Sequence, residues 1–446
     1  MTSVKLINHS SSTADWNILI MLRILLLSDI HFIHCEDDEN EYRSLETAFI
    51  EAMDDIRDDG GVNQILICGD VANRGKAEEY EKAEAFIKDI FEHLDCDERQ
   101  TQLYVVPGNH DIDRDVNKAS RRSFRSTLLD PAKGDDFIYN AKHKELDALR
   151  ILYSPLEAYN KFANMHSSAD AIAVGILEGV PNFNDKGFRK EVKLGTLDNY
   201  VIKLHCLNST LACDEDEVNN PDAIAPNEHK LFLTKYAYNP DTPITTVNIS
   251  MMHHPLAWFE NNKAMQEEFD RKFKVQIYGH VHTQSIQQDR EEKSAIRLQC
   301  GSLHPGNYGD PERYPPVYNI LELNVTREIL RLSVICYSWN GEQFMKDDRF
   351  CYTRKIILPK KNKRSTHQRR EVSQTKSKEM NAKEMYEIRY RFFSSRHIKE
   401  IILAMNLKAY DENKPEHANA ISFFRSISAK ADEVVRLQEQ LNSYLD

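Results

Sequence analysis

Short runs of Ile, Val and Leu that stop abruptly at polar residues set the rhythm of this chain. Six of them are "RILLLSD" (23–29), "QILICGD" (64–70), "QLYVVPGNHD" (102–111), "VIKLHCLNST" (201–210), "TVNISMMHHP" (246–255) and "KVQIYGHVHT" (274–283). Runs this short and this continuously apolar fit strands buried on both faces. Between the first three, residues 43–57 and 76–94 carry apolar side chains at helical spacing, so strand and helix alternate and an α/β architecture is predicted. After residue 290 the runs crowd together as "AIRLQCGSL", "VYNILELNV", "ILRLSVICYSW" and "FCYTRKIIL". Their closeness predicts antiparallel pairing in a second sheet packed on the first. Residues 112–190 show no comparable run; "RRSFRSTLLD" and "HKELDALRILYSPLEAYNKFANM" predict a helical insertion there.

Beyond Pro359 the pattern breaks. Residues 359–379 hold eight Lys or Arg against two Glu, a linker by composition. Helical spacing then resumes. Met385, Ile388 and Phe392 share one face, and Ile398, Ile401, Ile402 and Met405 another. Phe423, Phe424 and Ile427 follow, then Val434, Leu437, Leu441 and Leu445. The expected organisation is a flexible tail (1–20), a large catalytic-sized domain (21–358, insertion at about 112–190), a basic linker (359–380) and a small all-α bundle (381–446). A length of 446 residues agrees with more than one domain. The apolar stretch at 18–27 is interrupted by Arg23 and too short to span a bilayer. It is followed by "SDIHF" instead of a small-residue cleavage site, and is read as a core strand.

Composition narrows the function only a little. The net charge of −12 argues against a uniformly basic nucleic-acid coat, though not against a local basic groove. The eight cysteines form no C-x-x-C pair, and Cys68, Cys206, Cys300 and Cys336 sit in apolar runs. That predicts buried thiols, a reducing cytoplasmic setting and neither zinc finger nor disulfide framework.

The chemistry lies in what the strands end on. Asp29 and His31 close the first run, Asp70 the second, and Asn109, His110 and Asp111 the third; His253 closes "SMMHHP", and His280 and His282 close "YGHVHT". The carboxyl ends of strands are where α/β sheets build their sites. A single Asp after a strand is ordinarily a cap or turn residue, and a single His a core or loop residue. Chance is a poor account of all five segments in this order, each at the end of an apolar run.

The series D-x-H, G-D-x-x-N-R-G, G-N-H-D, a lone strand-ending His and G-H-x-H resembles the calcineurin-like metallophosphoesterase superfamily over roughly residues 22–340. The resemblance implies a four-layer αββα sandwich and a pair of divalent metal ions. One ion would take Asp29, His31, Asp70 and His282; the other Asp70, Asn109, His253 and His280, with Asp70 as the shared carboxylate. Imidazole and oxygen donors suit Mn²⁺ best here, with Fe or Zn²⁺ also fitting, and the lack of thiolate argues against a structural zinc site. The expected chemistry is attack on phosphorus by a hydroxide held between the metals. His110 would protonate or hydrogen-bond the departing oxygen, with Asp111 as its orienting partner. The bland alternative for His110 is support of the metals. Asn73 and Arg74 are expected to tie the loop after Asp70, and His254 to shape the pocket. His205 reads as core, His304 as a turn or substrate residue, and His34 as a residue at the entrance.

The superfamily resemblance says less about substrate. A phosphodiesterase or nuclease acting on nucleic acid or nucleotide is the primary expectation. The alternatives are a phosphomonoesterase (nucleotidase or protein phosphatase) and a scaffold whose C-terminal module mediates assembly. Arg114, Lys118, Arg121, Arg122 and Arg125 follow directly from the G-N-H-D loop. They read either as a phosphate-binding face or as a solvated, ion-paired one. The tail loosely resembles the death-like helical adaptor modules of bacterial conflict and antiphage effectors, and "PGNHDIDR" and "CGSLHPGNYGD" resemble bacterial phosphoesterases joined to such modules. This implies a protein partner or self-association through the tail, and no membrane.

Overall fold

The first apolar run is buried on both faces, and its alternation shows why it reads as continuous. Leu22, Ile24 and Leu26 enter one cluster of buried side chains, Leu25 and Leu27 another. The computed structural model describes residues 18–19, 21–32, 39–96, 101–130, 132–144, 146–179, 187–213, 231–259, 262–288, 294–304 and 314–359, and beyond them 392, 398–405, 423, 437 and 440–441. Its strands are β1 (Ile18–Leu19), β2 (Leu22–Leu27), β3 (Gln64–Cys68), β4 (Gln102–Val106), β5 (Arg189–Leu197), β6 (Tyr200–Leu207) and β7 (Thr246–Met251). They continue as β8 (Val275–Tyr278), β9 (Ser285–Gln288), β10 (Ile296–Gln299), β11 (Val317–Thr326), β12 (Ile329–Trp339), β13 (Phe344–Lys346) and β14 (Tyr352–Ile357).

The strands form two sheets. One runs β1-β5-β6-β7-β8-β10-β9; the other runs β13-β12-β11-β2-β3-β4, with β14 also on β12. Their facing sides make one apolar layer, in which Ile24, Leu66 and Val106 meet Leu204, Ile249 and Ile277. Helices cover the outer faces. Phe49 and Met53 of α1 (Glu39–Asp58) and Phe86 and Ile90 of α2 (Ala77–His93) join the same cluster as Leu25, Ile65 and Val105. On the other sheet, His205 of β6 meets the ring of Phe273, which follows α8 (Asn262–Lys272). The fold is therefore a mixed α/β sandwich of two sheets between helices.

One expectation needs correction. The strands after residue 290 do not make a sheet of their own. β10 lies parallel beside β8, and β11 pairs antiparallel with β2 through Ile320↔Leu25. Because β3 takes only one edge of β2, the other edge is completed by the distant β11. A helical insertion lies between β4 and β5. It comprises α3 (Lys118–Leu128), α4 (Gly134–Lys144), α5 (Leu146–Tyr153), α6 (Glu157–Met165) and α7 (Ala171–Glu178), after which β5 begins at Arg189. β5 carries Lys190, Glu191 and Lys193 on a half-buried stretch and so lacks the apolar signature of a central strand.

The parallel set β2, β3 and β4 and the parallel set β6, β7, β8 and β10 bring their carboxyl ends to a common edge. The sheets are stitched there: His253, just past β7, donates from Nδ1 to the Cys68 carbonyl at 2.8 Å. The described cysteines are free, and Cys68, Cys206, Cys300 and Cys336 are buried. Among the described residues no helix is long and apolar enough to cross a membrane.

The chain divides into two compact units, Met1–Asn362 and Lys363–Asp446. The second has its own apolar centre. Ile398, Ile401, Ile402 and Met405 of α9 (Ile398–Met405) are buried, as are Leu437 and Leu441, and the rings of Phe392 and Phe423 stand 5.5 Å apart. Met385, Ile388, Phe424, Ile427, Val434 and Leu445 lie outside the described residues, as does His34.

Phe49 packs its ring on Phe86 at 5.3 Å and on Tyr318 of β11 at 5.2 Å, joining α1 to both neighbours. Phe49→Ala is expected to cost about 3–5 kcal/mol by emptying a fully buried site. Denaturant unfolding checks this; a loss below about 1 kcal/mol would mean that α1 is not part of the cooperative core.

Candidate metal centre

Backbone geometry at the common edge is unusual. Asp29, His31, Asp70, His280 and His282 all adopt positive φ, between 51° and 74°. Such a conformation is costly for any residue bearing a Cβ and persists only where surrounding bonds over-determine it. Those bonds are present. Asp29 N donates to Gly69 O at 3.0 Å and Ile30 N to Asp70 O at 2.8 Å. The Asp29 carbonyl accepts from Ser302 Oγ at 2.8 Å and from His304 N at 3.2 Å.

The glycines of G-D, G-N and G-H have a steric reason. A Cβ on Gly69 would collide with the His253 ring, one on Gly108 with the Asp70 carboxylate, and one on Gly279 with Ser28 Oγ.

These turns aim seven side chains at one place. His282 Nε2 lies 3.1 Å from Asp29 Oδ1 and 3.4 Å from His31 Nε2, and His31 Nε2 lies 4.0 Å from Asp70 Oδ2. On the other side His253 Nε2 lies 3.1 Å from Asp70 Oδ2, and His280 Nδ1 lies 2.9 Å from Asn109 Oδ1. All seven residues are buried. Asp70 is the member common to both groups.

Donors held about 2.0–2.2 Å from one ion at angles of 90–109° stand about 3.0–3.5 Å apart, which matches the His282–Asp29, His282–His31 and His253–Asp70 spacings. Further, Nε2 of His253, the nitrogen beside Asp70, is buried without a hydrogen-bond partner. Two ring nitrogens facing one another at 3.4 Å, beside two buried carboxylates, are explained by cations shared among them. The residues fit divalent metal.

Electrostatics point the same way. Burial pushes Asp29 and Asp70 up, but the imidazoles of His282 and His253 outweigh it at Asp29, and those of His253 and His110 at Asp70; both stay below the ordinary carboxylate value. Burial disfavours the charged ring of His253, yet Asp70 and Asp29 hold its pKa up at about 9. His31 and His280 are driven well down, first by burial and then by neighbouring rings, so they are neutral donors.

The remaining candidates separate by contact. His110 is half-buried: its main-chain N–H donates to Asp70 Oδ1 at 2.8 Å, and its Nδ1–H to the Asn73 carbonyl at 2.9 Å. That bond leaves Nε2 as the acceptor nitrogen. The ring stands edge-on to His31 at 4.6 Å. Asn73, not Asp111, orients it.

Asp111 is engaged elsewhere. Its carboxylate accepts from Val71 N (3.3 Å), Ala72 N (2.9 Å), Gly108 N (2.8 Å) and the Tyr80 hydroxyl (2.8 Å), binding the loops after β3 and β4 together. Burial, with the charge of Asp70, raises its pKa to about 7. Arg74 contributes a main-chain N–H to Glu79 Oε2 at 3.0 Å and is exposed.

His254 is fully buried, its Nδ1 2.8 Å from Ser209 Oγ and its Nε2 3.9 Å from Cys213 Sγ, with its ring 4.6 Å from that of His280. It shapes the wall. His205 bonds Asn248 Oδ1 at 2.9 Å within the fold, away from this group. Ser28, which donates to the Asp29 carboxylate, Ser302, and Trp258, whose ring meets His280 at 4.2 Å, went unnoticed in the sequence. Serine and tryptophan in loops carry no spacing signal that would have singled them out.

A family model described as calcineurin-like phosphoesterase matches residues 22–284. The chain belongs to this family. The calcineurin-like phosphoesterase domain is a metal-dependent hydrolase of phosphoesters, and the family uses a dinuclear divalent metal centre. An uncharacterized metallophosphoesterase-like protein, YydB, of Bacillus subtilis (strain 168) is 25% identical over 336 residues, 72% of this chain. The match spans 60% of that protein's length. Among solved structures, a purple acid phosphatase from yellow lupin (Lupinus luteus) seeds is 12% identical with a TM-score of 0.37, covering 76% of this chain and 54% of its own. Vacuolar protein sorting 29 of Cryptosporidium parvum is 11% identical with a TM-score of 0.32, covering 76% of this chain and 99% of its own.

A metal held at His253 would have to displace the proton that the two carboxylates favour on its ring. Its raised pKa means that the metal-free protein gains stability from this ring below the ordinary value of 6.5 and loses it as pH rises through about 9. The rise in Tm on adding Mn²⁺ to metal-free protein should therefore grow from pH 6.5 to 9, with proton release in weak buffer. A Tm increment independent of pH over that range would contradict the assignment of His253.

Proposed function

We propose that the protein is a binuclear phosphodiesterase acting on nucleic acid or nucleotide. Asp29, His31, Asp70 and His282 would hold one divalent ion, and Asp70, Asn109, His253 and His280 the second, with Mn²⁺ favoured by the imidazole and oxygen donors. When bound, such a pair supplies positive charge for the phosphoryl oxygens and acidity for water at the site.

The observation that carries the reading is His110, a half-buried ring at the rim of an otherwise buried cluster. The Asn73 carbonyl keeps the proton on Nδ1 and orients the ring, which leaves Nε2 as the acceptor nitrogen. A proton taken up at Nε2 is placed to be given to the departing alkoxide oxygen. Asp111 serves by position: four donors on its carboxylate keep the Asp70 and Asn109 loops in register.

The C-terminal unit supports a division of labour. It has a buried centre of its own and forms a compact unit apart from the domain that carries the site. Residues 381–446 are read as a helical module for self-association or recruitment, joined through the basic linker at 359–380, in a cytoplasmic setting. The resemblance of the tail to adaptor modules of bacterial conflict effectors supports a role in antiphage defence.

His110→Gln in the Mn²⁺-loaded chain is expected to lower kcat by about 10²–10⁴ on dinucleotides or DNA. The loss should be far smaller on bis-p-nitrophenyl phosphate, whose leaving group departs without protonation. Equal losses on both would remove His110 as the proton donor. Turnover of p-nitrophenyl phosphate alone, with no diester cleaved, would replace the diesterase reading by a phosphomonoesterase.

A further inference from the structure

Asp113, Arg114 and Asp115 follow the G-N-H-D loop as three charges of alternating sign. Lys76 offsets the two carboxylates, its Nζ donating to Asp113 Oδ1 at 2.7 Å and to Asp115 Oδ2 at 2.8 Å. The main chain is held there as well. Asp113 N donates to the Pro155 carbonyl at 2.8 Å, and Asp115 N to Asp113 Oδ1 at 3.1 Å.

Arg114, between them, forms no ion pair among the described residues. It is half-buried, and its Nη2 reaches the Asn109 carbonyl at 3.5 Å, longer than an ordinary hydrogen bond. A guanidinium carries five N–H donors in a rigid fork, so this one long contact leaves most of them uncommitted. A charge partly withdrawn from water is costly unless opposite charge replaces the solvent.

The neighbouring cations differ from it. Arg114 lines an open hollow of ≈ 340 Å³ with Lys118, Arg121, Arg122 and Arg125, and those four have partners within the chain. Arg121 and Arg125 donate to the Cys213 and Ala212 carbonyls at 2.9 and 2.8 Å. Residues 211–213, which also line the hollow, lead back to the metal centre. Cys213 Sγ stands 3.9 Å from His254 Nε2, and the His254 ring lies 4.6 Å from that of His280. Arg114 thus stands on the side of the centre formed by Asn109 and His280.

We infer that Arg114 is a substrate-binding residue whose guanidinium pairs with non-bridging oxygens of the phosphoryl group at the centre. The inference rests on the two-metal reading of the centre and holds for a diester or a monoester alike. The planar fork matches two phosphoryl oxygens at once, whereas a lysine would supply a point charge without that geometry. The anchored main chain and the Lys76 pairs hold the residue in place before substrate arrives.

The test uses full-length, Mn²⁺-loaded protein and its Arg114→Ala and Arg114→Lys variants, with inorganic phosphate as the probe. Phosphate affinity is measured by calorimetry, turnover on bis-p-nitrophenyl phosphate and p-nitrophenyl phosphate, and bound manganese by elemental analysis. Arg114→Ala is expected to weaken phosphate binding, and to lower kcat/KM on whichever ester the wild type cleaves, by about 10- to 100-fold each. Bound manganese should not change. Guanidinium chloride below its denaturing range should restore part of the turnover lost in Arg114→Ala, and equal sodium chloride should not. Arg114→Lys should fall between the two. Unchanged phosphate affinity and kcat/KM in Arg114→Ala would overturn the inference. So would a loss that guanidinium does not rescue and that accompanies loss of manganese, since Arg114 would then only support the Asn109 loop. A wild-type protein that cleaves neither ester would remove the proposed activity; equal phosphate affinity of wild type and Arg114→Ala would separately remove the role of Arg114.

Discussion

Two carboxylates, Asp29 and Asp70, are buried at the meeting edge of two sheets, and the arrangement around them follows from the need to offset that charge. An ion deprived of water is costly unless opposite charge and hydrogen bonds replace the solvent. Here the replacements converge from both sheets: imidazoles from the loops after β7 and β8, and main-chain N–H groups of His110 and His280. Within the protein itself this compensation is incomplete, since His31 and His280 are pushed toward neutrality by burial. Divalent cations, of the kind the family uses, would complete it.

The same demand explains the strained backbone. Turning a side chain sharply back over the end of a strand requires positive φ, which five of the seven donor residues adopt. Each such turn is destabilising alone, so the fold surrounds it with bonds: Asp111 across the two loops, Ser302 and His304 on the Asp29 carbonyl. The adjacent glycines yield the space that the donors occupy. Strain, clamps and glycines form one device that keeps donors apart along the chain within about one ion's reach.

The half-buried His110 stands at the rim of a cluster whose other members are buried. The helical insertion between β4 and β5 supplies packing and is tied to the turn after β6 by Arg121 and Arg125, which donate to the Cys213 and Ala212 carbonyls. The C-terminal unit contributes none of the residues gathered at the centre.

Much of this was legible in the order of residues alone. Apolar runs closed by Asp, His and Asn specify strands and the chemistry at their ends, because donor type is a property of the residue and strand burial is written in continuous hydrophobicity. The pairing of β11 with β2 was not legible, since it depends on which edge of a sheet remains open after the parallel strands have assembled. Nor was the partner of His110: Asn73 acts through its carbonyl, which every residue possesses, whereas Asp111 advertises a carboxylate that the fold uses to bind loops. Positive φ at Asp29, Asp70 and the histidines is only faintly marked by residue type, since Asp and His tolerate it better than most residues yet mostly adopt other conformations. Side-chain chemistry is local and can be read along the chain; main-chain partners, sheet edges and backbone strain exist only once distant segments meet.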